Sequence, residues 1–485
     1  MANASQEKLK TLVDFRKGRI TRNAVNFSLA ALNSVSNSWN VNFDTIIGAG
    51  VVRPGTTILG STVANGETPL GLSTFVGSGG SPNMLLSVFP GAATATVYNY
   101  TGTWSASGLT NLSNTSKVRF AQLGGSVFLC NGAVMLSSAD GNTWGSTNCP
   151  STITQSLILQ TSARLITAGY PTYKDRVYFS SIIAQNTSPF LTWNEDPSSG
   201  DWISINPDDG GNITAFAETS TVVLVWKNTG MYRLDVVNKA ATPENIFPKG
   251  AYSQEGVVVC QGNAYFFGGD GIYSSDGTYP QLISRLGVQD LIKSIPSSYW
   301  STVALGTDGF NVYCSLGSFT INGFTYSNVV AKWSVLDQTW SLHYYAQNFN
   351  FFTQYTDTNG NLMRGADTAG EVQTVNLGTT DNGANINYDL ETQELDFGGR
   401  EELKQISDHL VVMTQNGLDS HIQVKADDED YANVDGNLND RVNILDINAE
   451  GYFFKFRWFG TSSGKAPILE GFYVPTISYK GITKK

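Results

Sequence analysis

In GVVVCQGNAYFFGGDGIYSSDGTYPQLIS, residues 256–284, short β-branched or aromatic runs (VVVC, AYFF, IYSS) alternate with turns built on Gly, Asn and Asp. Runs of four suit short strands, and the intervening glycines supply the positive φ that tight hairpin turns require. The unit is a run, a turn and a second run, often finishing in Trp or Tyr.

The unit recurs from about residue 84, with centres near Val88, Phe128, Tyr178, Val223, Tyr265, Val312 and Phe352. Successive centres lie 40–50 residues apart, the length of chain that one four-stranded propeller blade takes up. Four tryptophans directly follow a threonine, at Thr103-Trp104, Thr143-Trp144, Thr192-Trp193 and Thr339-Trp340, each just after a turn-rich stretch. A large ring at that point is placed to seal one blade against the next. A sandwich with similar turns has the same texture. Seven runs fit six blades plus a stray hairpin, or seven blades; six is the count expected.

Composition agrees with an all-β chain. Charged residues are 15% of the 485, and there are 49 Gly, 10 Trp, 21 Tyr and 25 Phe, many turn and strand formers against few helix-surface charges. Forty-one acids against thirty bases give a net charge of −11, the wrong sign for a protein that holds nucleic acid by neutralising phosphates. It suits a wall past which DNA slides, because each Lys or Arg there would be a point of friction. Cys130, Cys149, Cys260 and Cys314 show no paired spacing and lie within or beside apolar stretches, as buried structural thiols do. The polar start MANASQEKLKTLVDFRKGR is unlike a signal peptide, and no stretch has eighteen apolar residues in a row; a soluble, cytoplasmically made protein without stable membrane insertion is expected.

Four segments are expected: an N-terminal arm or collar over residues 1–60, a β-propeller over 61–376, a Gly, Asn, Thr and Asp-rich linker over 377–400, and a C-terminal β-sandwich-like domain over 401–485. Within the arm, Gln6 to Phe15 and Ala24 to Leu32 read as short helices, and Gly287 to Ile295 as the one short helix of the body.

No catalytic, cofactor-binding or metal-binding residue is assigned. Gly460-Thr461-Ser462-Ser463-Gly464 matches the nucleophile turn of hydrolases, but that turn needs a helix behind it, and Lys465-Ala466-Pro467 leads into a strand-like run. His343, His409 and His421 stand in no informative context for a triad. Asp427-Asp428-Glu429-Asp430 and the turn from Asp435 to Asp440 offer clustered oxygens without an EF-hand pattern and read as solvated loops. Gly48-Ala49-Gly50-Val51-Val52-Arg53 has Arg where a dinucleotide fingerprint needs its third Gly. The turn from Ser138 to Trp144 is similar to the Asp-box hairpin of sialidase-like propellers, a structural turn, but is one residue shorter between Asp140 and Gly141.

Several segments resemble the propeller proteins that close the distal end of short bacteriophage tails, called nozzle, tail-hub or packaged-DNA-stabilising proteins. Residues 26–55, with Trp39-Asn40 and the closing Val51-Val52-Arg53-Pro54-Gly55, resemble the family's opening, an arm ending in an Arg-Pro-Gly element. Asp175 to Ser180 followed by Asp201-Trp202-Ile203 resembles its central blades, residues 256–284 give the densest match, and residues 402–473 resemble its terminal β domain. Together the named segments make up just under a third of the chain. The resemblance implies a virion protein without catalysis or cofactor, assembled in the host cytoplasm as a homo-oligomer of six copies around the tail axis. Its partners would be a portal-side tail adaptor, tail fibres or spikes, and transiently passing DNA. The alternatives are a host-glycan receptor-binding propeller and a sialidase-like glycan hydrolase.

Overall fold

A computed structural model describes residues 11–14, 42–46, 49–182 and 201–480, apart from loop positions 64–65, 77–83, 110–111, 124, 146–153, 163, 322–323, 358–359, 393, 398–400, 417–419, 435, 437, 463 and 475–476. Strands dominate it, as the sequence implies. The helix expected near Gly287 to Ile295 is present as Gln289–Lys293. In the arm, Thr11–Asp14 is a strand rather than part of a helix, and the second expected helix, from Ala24 to Leu32, lies outside the described residues.

Seven antiparallel sheets follow one another. Blade 1 is Gly71–Phe75, Met84–Pro90, Thr94–Tyr100 and Trp104–Ala106. Blade 2 is Arg119–Leu123, Ser126–Cys130 and Met135–Ser138, with a Ser137–Gly145 bridge at its outer edge. Blade 3 is Leu157–Gln160, Leu165–Ala168, Arg176–Phe179 and Trp202–Ser204. Blade 4 is Ile213–Glu218, Val223–Lys227, Gly230–Asp235 and Ala240–Ala241. Blade 5 is Val257–Cys260, Asn263–Phe267, Ile272–Ser275 and Gln281–Leu282. Blade 6 is Ala304–Thr307, Asn311–Ile321, Phe324–Ser334 and Thr339–Tyr344.

Blade 7 takes Phe349–Asp357, Gly360–Asp367 and Val372–Val375 from the end of the propeller and its fourth strand, Thr56–Ile58, from the start. The first strands of the seven blades pack side by side, and the seventh meets the first. The ring therefore has seven blades, correcting the six expected. The run near Phe352 looks like a stray hairpin because its outer strand lies some 300 residues away in sequence, where no local pattern announces it.

One apolar cluster fills each junction between neighbouring blades. Leu86, Val88 and Leu129 join blades 1 and 2, Phe128 and Leu165 blades 2 and 3, and Phe179 and Val225 blades 3 and 4. Trp226 and Phe266 join blades 4 and 5, Phe267 and Cys314 blades 5 and 6, Tyr313 and Met363 blades 6 and 7, and Phe89 and Phe351 close the circle from 7 to 1. The Thr-Trp tryptophans serve these seams. Trp104 lies between blades 7 and 1 and donates from Nε1 to Leu59 O at 2.7 Å. Trp144 packs on Phe120 between blades 1 and 2, and Trp340 lies between blades 5 and 6, donating to Ile283 O at 3.1 Å. Trp193 lies outside the described residues.

The second unit is a sandwich. One sheet runs Phe43–Ile46, Ala49–Val52, Ile468–Val474, Lys404–Gln415, Val442–Gly451, and the other Asn387–Glu391, Phe454–Thr461, Ser420–Ala426, Ala432–Asn433. Their facing residues, among them Leu410, Leu445 and Phe472 from the first and Tyr388, Phe456 and Trp458 from the second, make one buried core. The boundaries differ from those expected. Residues 43–52 of the arm belong to the sandwich and 56–58 to the propeller. Asn387–Glu391, placed in the linker, is a sandwich strand that buries Tyr388 and Leu390, an alternation hidden by the Gly and Asn around it.

Candidate functional site

Two charged centres stand out. The first lies on the propeller axis, where a cavity of about 440 Å³ is walled by inner strands of several blades, with Arg119, Glu255, Gln254, Thr307, Phe351, Phe352 and Gln354 on its lining. Glu255 sits in the 3-10 turn that leads into blade 5 and accepts from Arg119 Nε at 2.9 Å, Arg119 Nη2 at 3.1 Å and Lys117 Nζ at 2.8 Å. Arg119 also donates to Ser156 O at 2.6 Å, and Lys117 to Ser301 O at 3.0 Å. Burial pushes the Glu255 carboxyl up, but Arg119 and Lys117 outweigh it and hold it at about 2. Beside it Gln254 bonds both backbone groups of Phe216 in blade 4. The triad and Gln254 together tie blades 2, 4 and 5 across the axis.

The second centre joins the two units at the outer edge of blade 6. Arg53, whose side chain is wholly buried, donates to Asn42 Oδ1 at 2.7 Å, to Pro54 O at 2.9 Å, to Tyr344 O at 2.6 Å and to both carboxylate oxygens of Asp381. Its guanidinium stacks on Tyr345, 4.1 Å from the ring centroid. Next to it Asp44 accepts from Lys332 Nζ at 2.8 Å and lies 2.8 Å from His343 Nε2. Burial opposes the Asp44 charge, and His343 and Lys332 override it, taking its carboxyl far below the ordinary range. Burial depresses the His343 imidazole against the pull of Asp44. Gly55 completes the element: a Cβ there would stand 1.9 Å from Thr380 O, so only glycine lets the chain pass under the linker on its way into blade 7.

The sequence motifs take their places around these centres. Ser462, at the nucleophile position of Gly460 to Gly464, is buried, accepts from Ile386 N at 3.0 Å and donates to Thr379 O at 3.0 Å. The next element is the strand Ile468–Val474, so no helix presents the serine. His409 lies 3.2 Å from exposed Asp446, and His421 stacks on Phe459. Asp427 accepts from Tyr452 N and Phe453 N, and no group of ligating side chains with metal-site geometry occurs among the described residues. The Ser138 to Trp144 turn closes on its own side chains: Asp140 Oδ1 accepts from Asn142 N at 2.8 Å and Thr143 N at 2.7 Å, and Ser138 Oγ accepts from Gly141 N. Ala49 and Gly50 open the strand Ala49–Val52, which pairs with Phe43–Ile46 rather than leading into a helix, and Gly48 lies outside the described residues. Cys130, Cys260 and Cys314 are buried thiols, and Cys149 lies outside the described residues.

Sequence reasoning did not single out Glu255, Arg119, Lys117, Asp44 or Asp381. The available signal was Gln254-Glu255-Gly256 abutting the all-apolar VVV, a charge with no polar neighbour on one side. Arg53-Pro54-Gly55 was noticed for its resemblance, without its role.

No protein-family model and no curated protein sequence matches the chain. Among solved structures, the extracellular domain of a one component system of B. thetaiotaomicron aligns at 10% identity and TM-score 0.42 over 86% of this chain, which spans 58% of that chain's length. That of a hybrid two component system of the same organism aligns at 10% identity and TM-score 0.45, covering 84% of this chain and 57% of the other. BamB from Moraxella catarrhalis aligns at 10% identity and TM-score 0.36, covering 71% and 99%. Likeness at this level bears on fold alone; no membrane-crossing helix is found among the described residues. By its own strand order the chain is a seven-bladed β-propeller closed by its N-terminal strand and joined to a β-sandwich.

Proposed function

We propose that the chain is a non-enzymatic structural subunit of a bacteriophage virion, assembled as a ring of six at the distal end of a short tail. In this reading the ring retains the packaged genome, carries fibres or spikes, meets a portal-side adaptor and lets DNA out at ejection. The observation that carries it is the knot at Arg53-Pro54-Gly55, one of the elements that carry the resemblance. In it an arm, a propeller and a terminal β domain are locked by one buried guanidinium into a unit fit to bear load. The conduit lies between subunits. A propeller axis holding about 440 Å³, bridged by the Glu255 triad, has room for a small molecule and not for a duplex. A net charge of −11 suits a lumen that DNA must not adhere to.

A sialidase-like hydrolase needs several guanidinium groups converging on a substrate carboxylate. On the axial cavity the guanidinium is that of Arg119, already committed to Glu255. Cryo-electron microscopy of the purified chain with its tail adaptor tests the proposal. Rings of about six copies around an axial channel are expected; monomers or trimers with aromatic loops facing outward would overturn it in favour of glycan binding.

A further inference from the structure

The sandwich strand Val442–Gly451 pairs with Lys404–Gln415 in unbroken register over ten residues, and no strand flanks its other side among the described residues. Other outermost strands are short, two residues at Ala240–Ala241 and Gln281–Leu282 and three at Trp202–Ser204. The longer Thr339–Tyr344 is covered by the chain's own Asn42 and Asp44. Exposed edges are ordinarily blunted by Lys, Pro or a bulge; Val442–Gly451 has none of these, and Val442 and Ile444 are 57% and 64% exposed.

The edge is also acidic. Asp446 projects from it, 82% exposed, 3.2 Å from the His409 imidazole, and Glu450 meets Lys480. At the Gly451 end stands the loop of Asp427, anchored by Tyr452 N and Phe453 N, with Asp428, Glu429 and Asp430 exposed. An extended, basic segment is what such an edge accepts, through main-chain pairing for affinity and charge for register. The chain contains a basic stretch of its own. Residues 15–41, outside the described residues, hold Arg16, Lys17, Arg19 and Arg22 and no acid, in a chain of net charge −11.

We infer that the basic segment of residues 16–22 from a neighbouring copy adds as a strand to the edge Val442–Gly451. The same copy cannot supply its start. Asp14, Gly471, Met413 and Val442 form one row across the sheet, so the vacant position beyond Val442 lies four strand spacings from Asp14, about 19 Å. Residue 16, two residues on, reaches at most about 7 Å. A contact between unlike surfaces of successive copies is heterologous and makes a ring when the rotation between copies closes; the inference thus deepens the ring reading and rests on it.

Mass photometry and a peptide titration test it. The full chain carrying Arg16→Glu, Lys17→Glu, Arg19→Glu and Arg22→Glu is expected to lose assembly, as is the chain carrying Asp428→Lys, Glu429→Lys and Asp446→Lys, and combining the two sets is expected to restore it. The arm-reversed chain serves as receptor for a labelled peptide of residues 14–22, whose Kd should weaken at least tenfold when the three edge substitutions are added. Rings that form equally well with either set overturn the arm contact while the ring stands. A monomeric wild-type chain that binds the peptide at the edge overturns the ring and keeps the contact, and one that does not bind it overturns both.

Discussion

Replacing Arg53 by Met is expected to destabilise the protein by about 4 kcal/mol and to uncouple the sandwich from the propeller. Met fills similar volume but carries no donor. The substitution strips five hydrogen bonds at once, leaving the Asp381 carboxylate, 12% exposed, without its cation and taking a charged donor away from the carbonyls of Pro54 and Tyr344. Breaking a buried ion pair by removing one partner costs about 3–5 kcal/mol, most of it the isolated charge left behind. Asn42 Oδ1 keeps its bond from Tyr344 N at 2.7 Å, so it adds little. Because the lost contacts join the two units, urea unfolding followed by tryptophan fluorescence should change from one transition to two. Adding Asp381→Asn should recover about half the loss, since the stranded charge is gone. A single variant that loses less than about 1 kcal/mol and still unfolds in one step would refute the claim that this guanidinium locks the units together.

Gly55→Ala should cost at least about 2 kcal/mol by calorimetry, because the new methyl meets the backbone of Thr380, which cannot swing aside; a neutral outcome would show that the linker does not pass there. Glu255→Gln tests the axial triad. The wild-type carboxyl is depressed to about 2, so its contribution is fully present above the unfolded value near 4.5 and fades as pH falls toward 2. The stability gap between wild type and variant should be about 2–3 kcal/mol at pH 7 and shrink at pH 3. Asp367 has the opposite sign. Burial and the neighbouring Glu371 raise its carboxyl to about 6, despite bonds from Ala369 N and Glu371 N, so its ionisation removes stability as pH rises from about 4 through 6. Asp367→Asn should therefore gain on the wild type by roughly 2 kcal/mol between pH 4 and pH 7.5; a gap independent of pH in urea titrations would contradict it.

The sequence by itself determined what is local. Strand runs at 40–50-residue spacing follow from backbone preference and side-chain alternation within a few residues, and they located every blade. Three of the tryptophans after threonine, Trp104, Trp144 and Trp340, marked seams, because a ring that large near a blade's edge has nowhere to bury except against the next blade. The Ser138 to Trp144 turn was legible because its hydrogen bonds close within six residues. Whatever joins distant parts of the chain was left to the tertiary structure. The seventh blade exists only when Thr56–Ile58 meets Val372–Val375. Arg53 finds Asp381 across 328 residues, Asp44 finds His343 across 299, and Glu255 finds Arg119 across 136. Each partner is an unremarkable residue where it stands, and its charge acquires meaning only when folding removes the water from around it and leaves one counter-charge within reach.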